Sequence, residues 1–301
     1  MLYEGEGMKV INMLADYEQL CIESDIYGNW IAWKNYISKY ESLYSAILEV
    51  LYMSGLEDLK PMIEHTNFRG IYNKVQENIQ NGCVQEILKW VNRSMEHFDN
   101  RKDFVLYIGC ELGNIRACVL PVGKSVVLYF GIETIKNIED IKNLVPHEIS
   151  HFIRLSSLIK QDNFNKELLN TFKERVIAEG LGLFTSFKVL EMEDNICNLS
   201  KILGIMETNV QSLILQEQSL EKEILSQIDY NLTADMMRKY FGYTEEDRIA
   251  NNLIYSGYFI GFRIIQKLCE TKKYDFRQIT EFSADKILKE CFEVAKSPLR
   301  K

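Results

Sequence analysis

The chain has little of what marks a disulfide-stapled, nucleic-acid-binding or membrane-spanning protein. Its seven Cys, at 21, 83, 110, 118, 197, 269 and 291, are odd in number, and none stands in a Cys-x-x-Cys pair. That pattern excludes a disulfide framework and a Cys-type zinc site, and fits reduced, mostly buried thiols. Positive charge is short: 35 Lys and Arg against 43 Asp and Glu leave a net charge of −8. A dedicated binder of nucleic acid or of anionic membranes would show a basic surface, so neither partner is expected. The acids are dispersed and read as solvated helix faces. No apolar run approaches the roughly 18 residues needed to span a bilayer. The start, Met-Leu-Tyr-Glu-Gly-Glu-Gly-Met-Lys, lacks the basic head, apolar core and cleavage site of a signal peptide, so a cytoplasmic location is expected. With four Pro and 16 Gly there is no disordered linker of note.

What is there is a globular chain of 301 residues, 47% hydrophobic and 26% charged, long enough for a sizeable core. Residues 1–101 read as an N-terminal helical region. Apolar residues recur at three- and four-residue steps through Val10, Leu14, Tyr17 and Leu20–Cys21, then Leu43, Ile47 and Val50–Leu51, then Val84, Ile87–Leu88, Val91 and Met95. Trp30, Trp33, Tyr36 and Tyr40 form an aromatic stripe at helical spacing, which reads as core packing. The character changes at Phe104. Phe104–Cys110, Ile115–Leu120 and Ser125–Phe130 are short β-rich runs separated by turn residues. They predict a small antiparallel sheet at about 104–136. Helices follow at about 138–159, 165–190, 198–226, 233–241, 246–271 and 283–296. Thr233 and Thr244, each followed by acids, read as helix starts. The class expected is α+β and mostly α-helical, with residues 102–301 forming the second region.

Two of the four His stand in His147-Glu148-Ile149-Ser150-His151. On a helix, residues four apart leave the same face, so both imidazoles can share one metal ion. Glu148, one residue on, would sit beside that ion and take a proton from a water held there. The flanks Ile141, Leu144, Val145, Ile149, Phe152, Ile153 and Leu155 point to a buried setting, where two His and a Glu need partners. Zinc is the economical one. Pro146 falls inside this helix and removes a backbone hydrogen bond, which predicts a kink or a break there.

A catalytic zinc takes three protein ligands and keeps a position for water. His65 and His97 lie far upstream, and no third His follows at close spacing. The next helical stretch offers Glu174 and Glu179. Glu179 lies among Ile177, Ala178, Leu181, Leu183 and Phe184, with Gly180 and Gly182 allowing close backbone approach. Glu174 sits between Lys173 and Arg175 and reads as solvated. Glu179 is therefore the third-ligand candidate and Glu174 the second choice, giving a two-His-one-Glu site suited to Zn²⁺.

His147–Arg154, then Ala178-Glu-Gly-Leu-Gly-Leu-Phe184, then Tyr255-Ser-Gly-Tyr258-Phe-Ile-Gly261 together resemble the gluzincin metallopeptidases. More narrowly they resemble a bacterial family of predicted zinc-dependent proteases, over residues 104–270. The resemblance implies a zincin-like catalytic domain, one Zn²⁺ per chain, and hydrolysis of a peptide or protein substrate with Glu148 as general base. It puts Tyr258, with Tyr255 as second choice, forward as the donor to the developing oxyanion. Two departures stand out. Pro146 is unusual, and the acid that follows the ligand Glu by one turn in thermolysin-like enzymes is here Leu183. Asn170 or Glu174 is left to orient the His ligands. The strand Ser125–Phe130 suits either the edge of a substrate cleft or the sheet interior. Two other readings stay open: a zincin-like scaffold used for binding or regulation, and a zinc hydrolase of non-peptide amides or esters.

Overall fold

The structure, a computed structural model, describes residues 4–5, 8–98, 104–161, 165–242 and 253–296. Contacts divide it into two compact units, Met1–Phe152 and Ile153–Lys301. The division falls inside one continuous helix. No helix among the described residues is long and apolar enough to cross a membrane.

The first unit is built on a five-stranded mixed sheet. Its strands are β1 (Glu4–Gly5), β2 (Met8–Asn12), β3 (Phe104–Gly109), β4 (Ala117–Val122) and β5 (Ser125–Gly131), in the order β1-β2-β3-β5-β4. The pairs β2–β3 and β3–β5 are parallel, whereas β1–β2 and β4–β5 are antiparallel. The expectation of a purely antiparallel sheet is corrected here. So is the reading of residues 1–101 as helical throughout, because β2 extends the sheet from before that boundary. Val10 counted towards a helical stripe, but it is a buried strand residue paired with Leu106. Pairing with a segment a hundred residues away overrides a local period. Strand β5 lies in the interior and is buried at every residue after Ser125. That burial explains its unbroken run of Val, Val, Leu, Tyr and Phe. Strand β4 is an edge among the described residues, and it tolerates Pro121 for that reason. Gly123, at φ 62°, makes the tight turn into β5.

Helices α1 (Leu14–Tyr27), α2 (Asn29–Ser38), α3 (Glu41–Ile47), α4 (Lys60–Glu64), α5 (Phe68–Gln80) and α6 (Cys83–His97) complete this unit. Trp33 and Tyr36 of the aromatic stripe are buried in it. The Trp33 ring stacks on Phe68 at 5.7 Å, and the Tyr36 hydroxyl donates to the Cys110 carbonyl. Two carboxylates lie just past the ends of β3 and β5. Glu111 and Glu133 are 1% and 8% exposed, and the Glu111 N–H donates to Glu133 Oε1 at 2.8 Å. Burial, the leading cause, pushes Glu111 up to about 8 and Glu133 up to about 7.

Helix α7 (Ile141–Lys160) follows β5 through two 3₁₀ turns and runs unbroken through Pro146. Of the kink or break expected at Pro146, the break is absent. The helix gives up one hydrogen bond, to the Lys142 carbonyl, and continues.

The second unit is helical. Its elements are α8 (Phe172–Val189), α9 (Ile196–Leu203), α10 (Glu207–Leu215), α11 (Glu217–Ser226), α12 (Ala234–Met236), α13 (Ser256–Lys272), α14 (Phe276–Thr280) and α15 (Ala284–Lys296). The stretch expected as one helix over 198–226 is three. Gly204 ends the first in a left-handed cap at φ 66°. Thr233 caps α12 as expected, accepting from the Met236 N–H; the start expected at Thr244 lies outside the described residues. Helices α8 and α13 cross backbone to backbone. A Cβ on Gly180 would lie 2.1 Å from the Gly261 carbonyl carbon, and one on Gly261 would lie 2.1 Å from the Val176 oxygen. The core of the unit, with Phe172, Leu181, Phe184, Phe259 and Phe262, closes around this crossing.

Candidate metal centre

His147 and His151 project from α7 four residues apart. Their Nε2 atoms lie 2.9 Å apart and their rings meet edge to face at 4.6 Å. Two nitrogens each about 2.05 Å from an ion at the tetrahedral angle would be about 3.3 Å apart, so this pair is nearly spaced for one metal. The residues between and around them place the helix. Val145, Ile149, Phe152, Ile153 and Leu155 are buried, whereas His147, Glu148 and His151 are half-buried. The apolar flank seats α7 and the motif keeps access to solvent.

Glu179 supplies the third group. One ligand atom from each of His147, His151 and Glu179 falls within 4.8 Å of the others. Glu179 is 4% exposed, on the turn of α8 where Gly180 meets Gly261. A carboxylate buried this deeply needs positive charge nearby. Arg175, one turn earlier, provides part of it through Nη1 to Oε1 at 2.9 Å. Two imidazoles and one carboxylate are the donor set of many catalytic zinc sites, and these residues fit that ion.

Glu174 corrects the reading made from its neighbours. It is not solvated: it is 4% exposed and committed to Arg154. Arg154 Nε donates to Oε1 at 2.5 Å and Nη2 to Oε2 at 2.7 Å. The Thr171 hydroxyl, capping α8, accepts from the Glu174 N–H at 3.3 Å. Asn170, the other candidate for orienting the His ligands, is exposed, and its carbonyl accepts from the Leu232 N–H.

Burial raises the Cys118 thiol well above its usual range, and the charge of Glu148 is the next cause. Cys118 is a buried residue of β4. Strand β5, weighed as the cleft edge, is interior. Tyr258 and Tyr255 begin α13. Tyr258 is half-buried, its ring against Phe241 at 5.6 Å and Tyr255 at 5.4 Å. It stands three residues before Gly261, the glycine that meets Gly180 beside Glu179. Tyr255 holds a left-handed φ of 67° at the helix start.

The sequence reading gave Arg154 no function. A signal for it was present: a lone cation in Phe152-Ile153-Arg154-Leu155 must find a buried partner.

Residues 117–289 match a family model described as Predicted Zn-dependent protease (DUF2268). That span includes β4, the whole of α7, α8 and α13. No curated protein and no solved structure matches the chain.

Proposed function

The chain belongs to the DUF2268 family of predicted Zn-dependent proteases, and from that premise we propose that it is a gluzincin-type metallopeptidase. The observation that carries this reading is the grouping of His147, His151 and Glu179, with Glu148 next to the first ligand. These three residues would hold one Zn²⁺. When bound, zinc supplies a Lewis acid and a water that loses its proton near neutral pH.

The protein's own groups do the rest. The Glu148 carboxylate accepts the proton of the attacking water and returns it to the leaving amine nitrogen. Its half-buried position leaves it reachable from solvent. Tyr258 donates its phenolic hydrogen to the oxygen of the carbonyl under attack, with Tyr255 as the alternative donor. The substrate is an extended peptide. Strand β4, an edge among the described residues, offers backbone groups to pair with it, from Ala117 to Leu120, before Pro121 removes a donor.

The test is a peptide-library cleavage assay on purified protein, with chelator and zinc add-back. Cleavage that chelator abolishes and zinc restores, and that Glu148→Gln eliminates while zinc content holds near one per chain, supports the reading. Zinc-loaded protein that cleaves no peptide turns the site over to a binding role or to non-peptide amides and esters.

A further inference from the structure

We infer that Arg154 and Glu174 are positioning residues for the metal centre: their buried ion pair sets the register of α7 against α8, and so the reach from His147 and His151 to Glu179. The inference rests on the peptidase reading above.

The spacing carries it. Arg154 meets Glu174. The midpoint of His147 and His151 lies five residues before Arg154, and Glu179 lies five residues after Glu174. Residue numbers fall along α7 as they rise along α8 between the two contacts, so the helices run antiparallel there. Five residues is about 7.5 Å of rise on each helix. The ion pair and the ligand cluster are therefore two rungs at matched heights. His147, His151 and Arg154 also follow an i, i+4, i+7 stripe, one face of α7.

The chemistry of the pair suits a register device. Both side chains are almost fully buried, 2% and 5% exposed. A guanidinium and a carboxylate joined by two parallel bonds fit at one alignment, and a slide of one helical turn, about 5.4 Å, breaks both. The remaining donor, Arg154 Nη1, is anchored too, to the Phe282 carbonyl at 2.8 Å and the Thr280 carbonyl at 3.3 Å. On the other side, Thr171 pins Glu174 in the first turn of α8, where the helix dipole favours an anion. Against a well-packed apolar pair, such a buried ion pair adds little net stability. Its contribution is direction, and the direction leads to the ligands.

The test uses the full chain, as purified and after chelation, with Arg154→Lys, Glu174→Gln and the double variant R154M/E174M. Three quantities are read: the melting temperature of the metal-free protein, the Zn²⁺ Kd by competition with a chromophoric chelator, and the visible spectrum of the Co²⁺-loaded protein. The double variant replaces the pair by apolar side chains, so its metal-free melt is expected near that of the parent. Its zinc affinity is expected to fall by roughly tenfold or more, the usual cost of losing an orienting partner, with an altered Co²⁺ spectrum. Parent-like Kd and spectrum in the double variant would make the pair a mere structural clamp and overturn the inference. Should that variant not fold, the conservative Arg154→Lys, which keeps the charge but not the paired bonds, decides on the folded protein: weaker zinc binding with an altered Co²⁺ spectrum upholds the inference whatever the melt does, and parent-like binding and spectrum end it. A parent protein that takes up no zinc sinks the peptidase reading itself.

Discussion

Replacing Glu133 by Gln should make the first unit more stable at high pH and change it least at low pH. Burial moves the Glu133 carboxyl from its usual 4.5 up to about 7. A raised acid holds its proton more tightly in the folded state than in the unfolded one. Its contribution is fully present below pH 4.5 and is lost as pH rises from there through about 7. Each pH unit in that window is worth about 1.4 kcal/mol for one proton. Between pH 5 and pH 8 the parent should therefore lose about 2 to 3 kcal/mol that the Gln variant does not lose. The Gln carbonyl can still accept the Glu111 N–H now bound to Oε1. Urea unfolding followed by Trp fluorescence is a selective assay, since Trp30, Trp33 and Trp90 all belong to the first unit. Chelator should be present throughout, because zinc binding has its own pH dependence. An equal gap between variant and parent at pH 5 and pH 8 would refute the burial argument. Glu111, raised to about 8, should follow the same rule under Glu111→Gln.

Glu148→Gln should retain zinc and lower peptide hydrolysis by about 10²- to 10⁴-fold, the usual worth of a general base; turnover at parent rates would remove Glu148 from its role. Glu179→Ala should weaken zinc binding, measured by chelator competition, and unaltered binding would require a different third ligand. Gly261→Ala should destabilise the second unit by about 3 kcal/mol, because its Cβ meets the Val176 oxygen at 2.1 Å and overpacking outweighs a helix-propensity gain of about 1 kcal/mol. A rise in the melting temperature would contradict the backbone contact. Pro146→Ala should raise metal-free stability by about 1 to 2 kcal/mol by restoring the bond to the Lys142 carbonyl, less than the full proline cost because Pro146 is itself buried and packed. A loss of stability would mean that Pro146 is needed for its packing.

The sequence by itself determined the local chemistry of this protein. The i, i+4 spacing of His147 and His151 follows from helix geometry alone, and so does the place of Glu148 beside them. Glu179 could be picked from Glu174 because its neighbours are apolar. Gly180 could be read as a site of close approach, whereas its partner Gly261 came only from the structure. These are facts about adjacent residues, and adjacency is what a sequence records. The tertiary structure decided everything that depends on distant pairing. It moved Val10 from a helix to a strand, because Leu106 lies beside it. It made the sheet mixed and put β5 inside, leaving β4 as an edge among the described residues. It turned Glu174 from a solvated residue into a buried anion, because Arg154 reaches it from another helix. Lys173 and Arg175 flank Glu174 in the chain, yet successive residues on a helix point in different directions. Burial of a charge is set by what packs against it in space, and for Glu174 that partner lies twenty residues away.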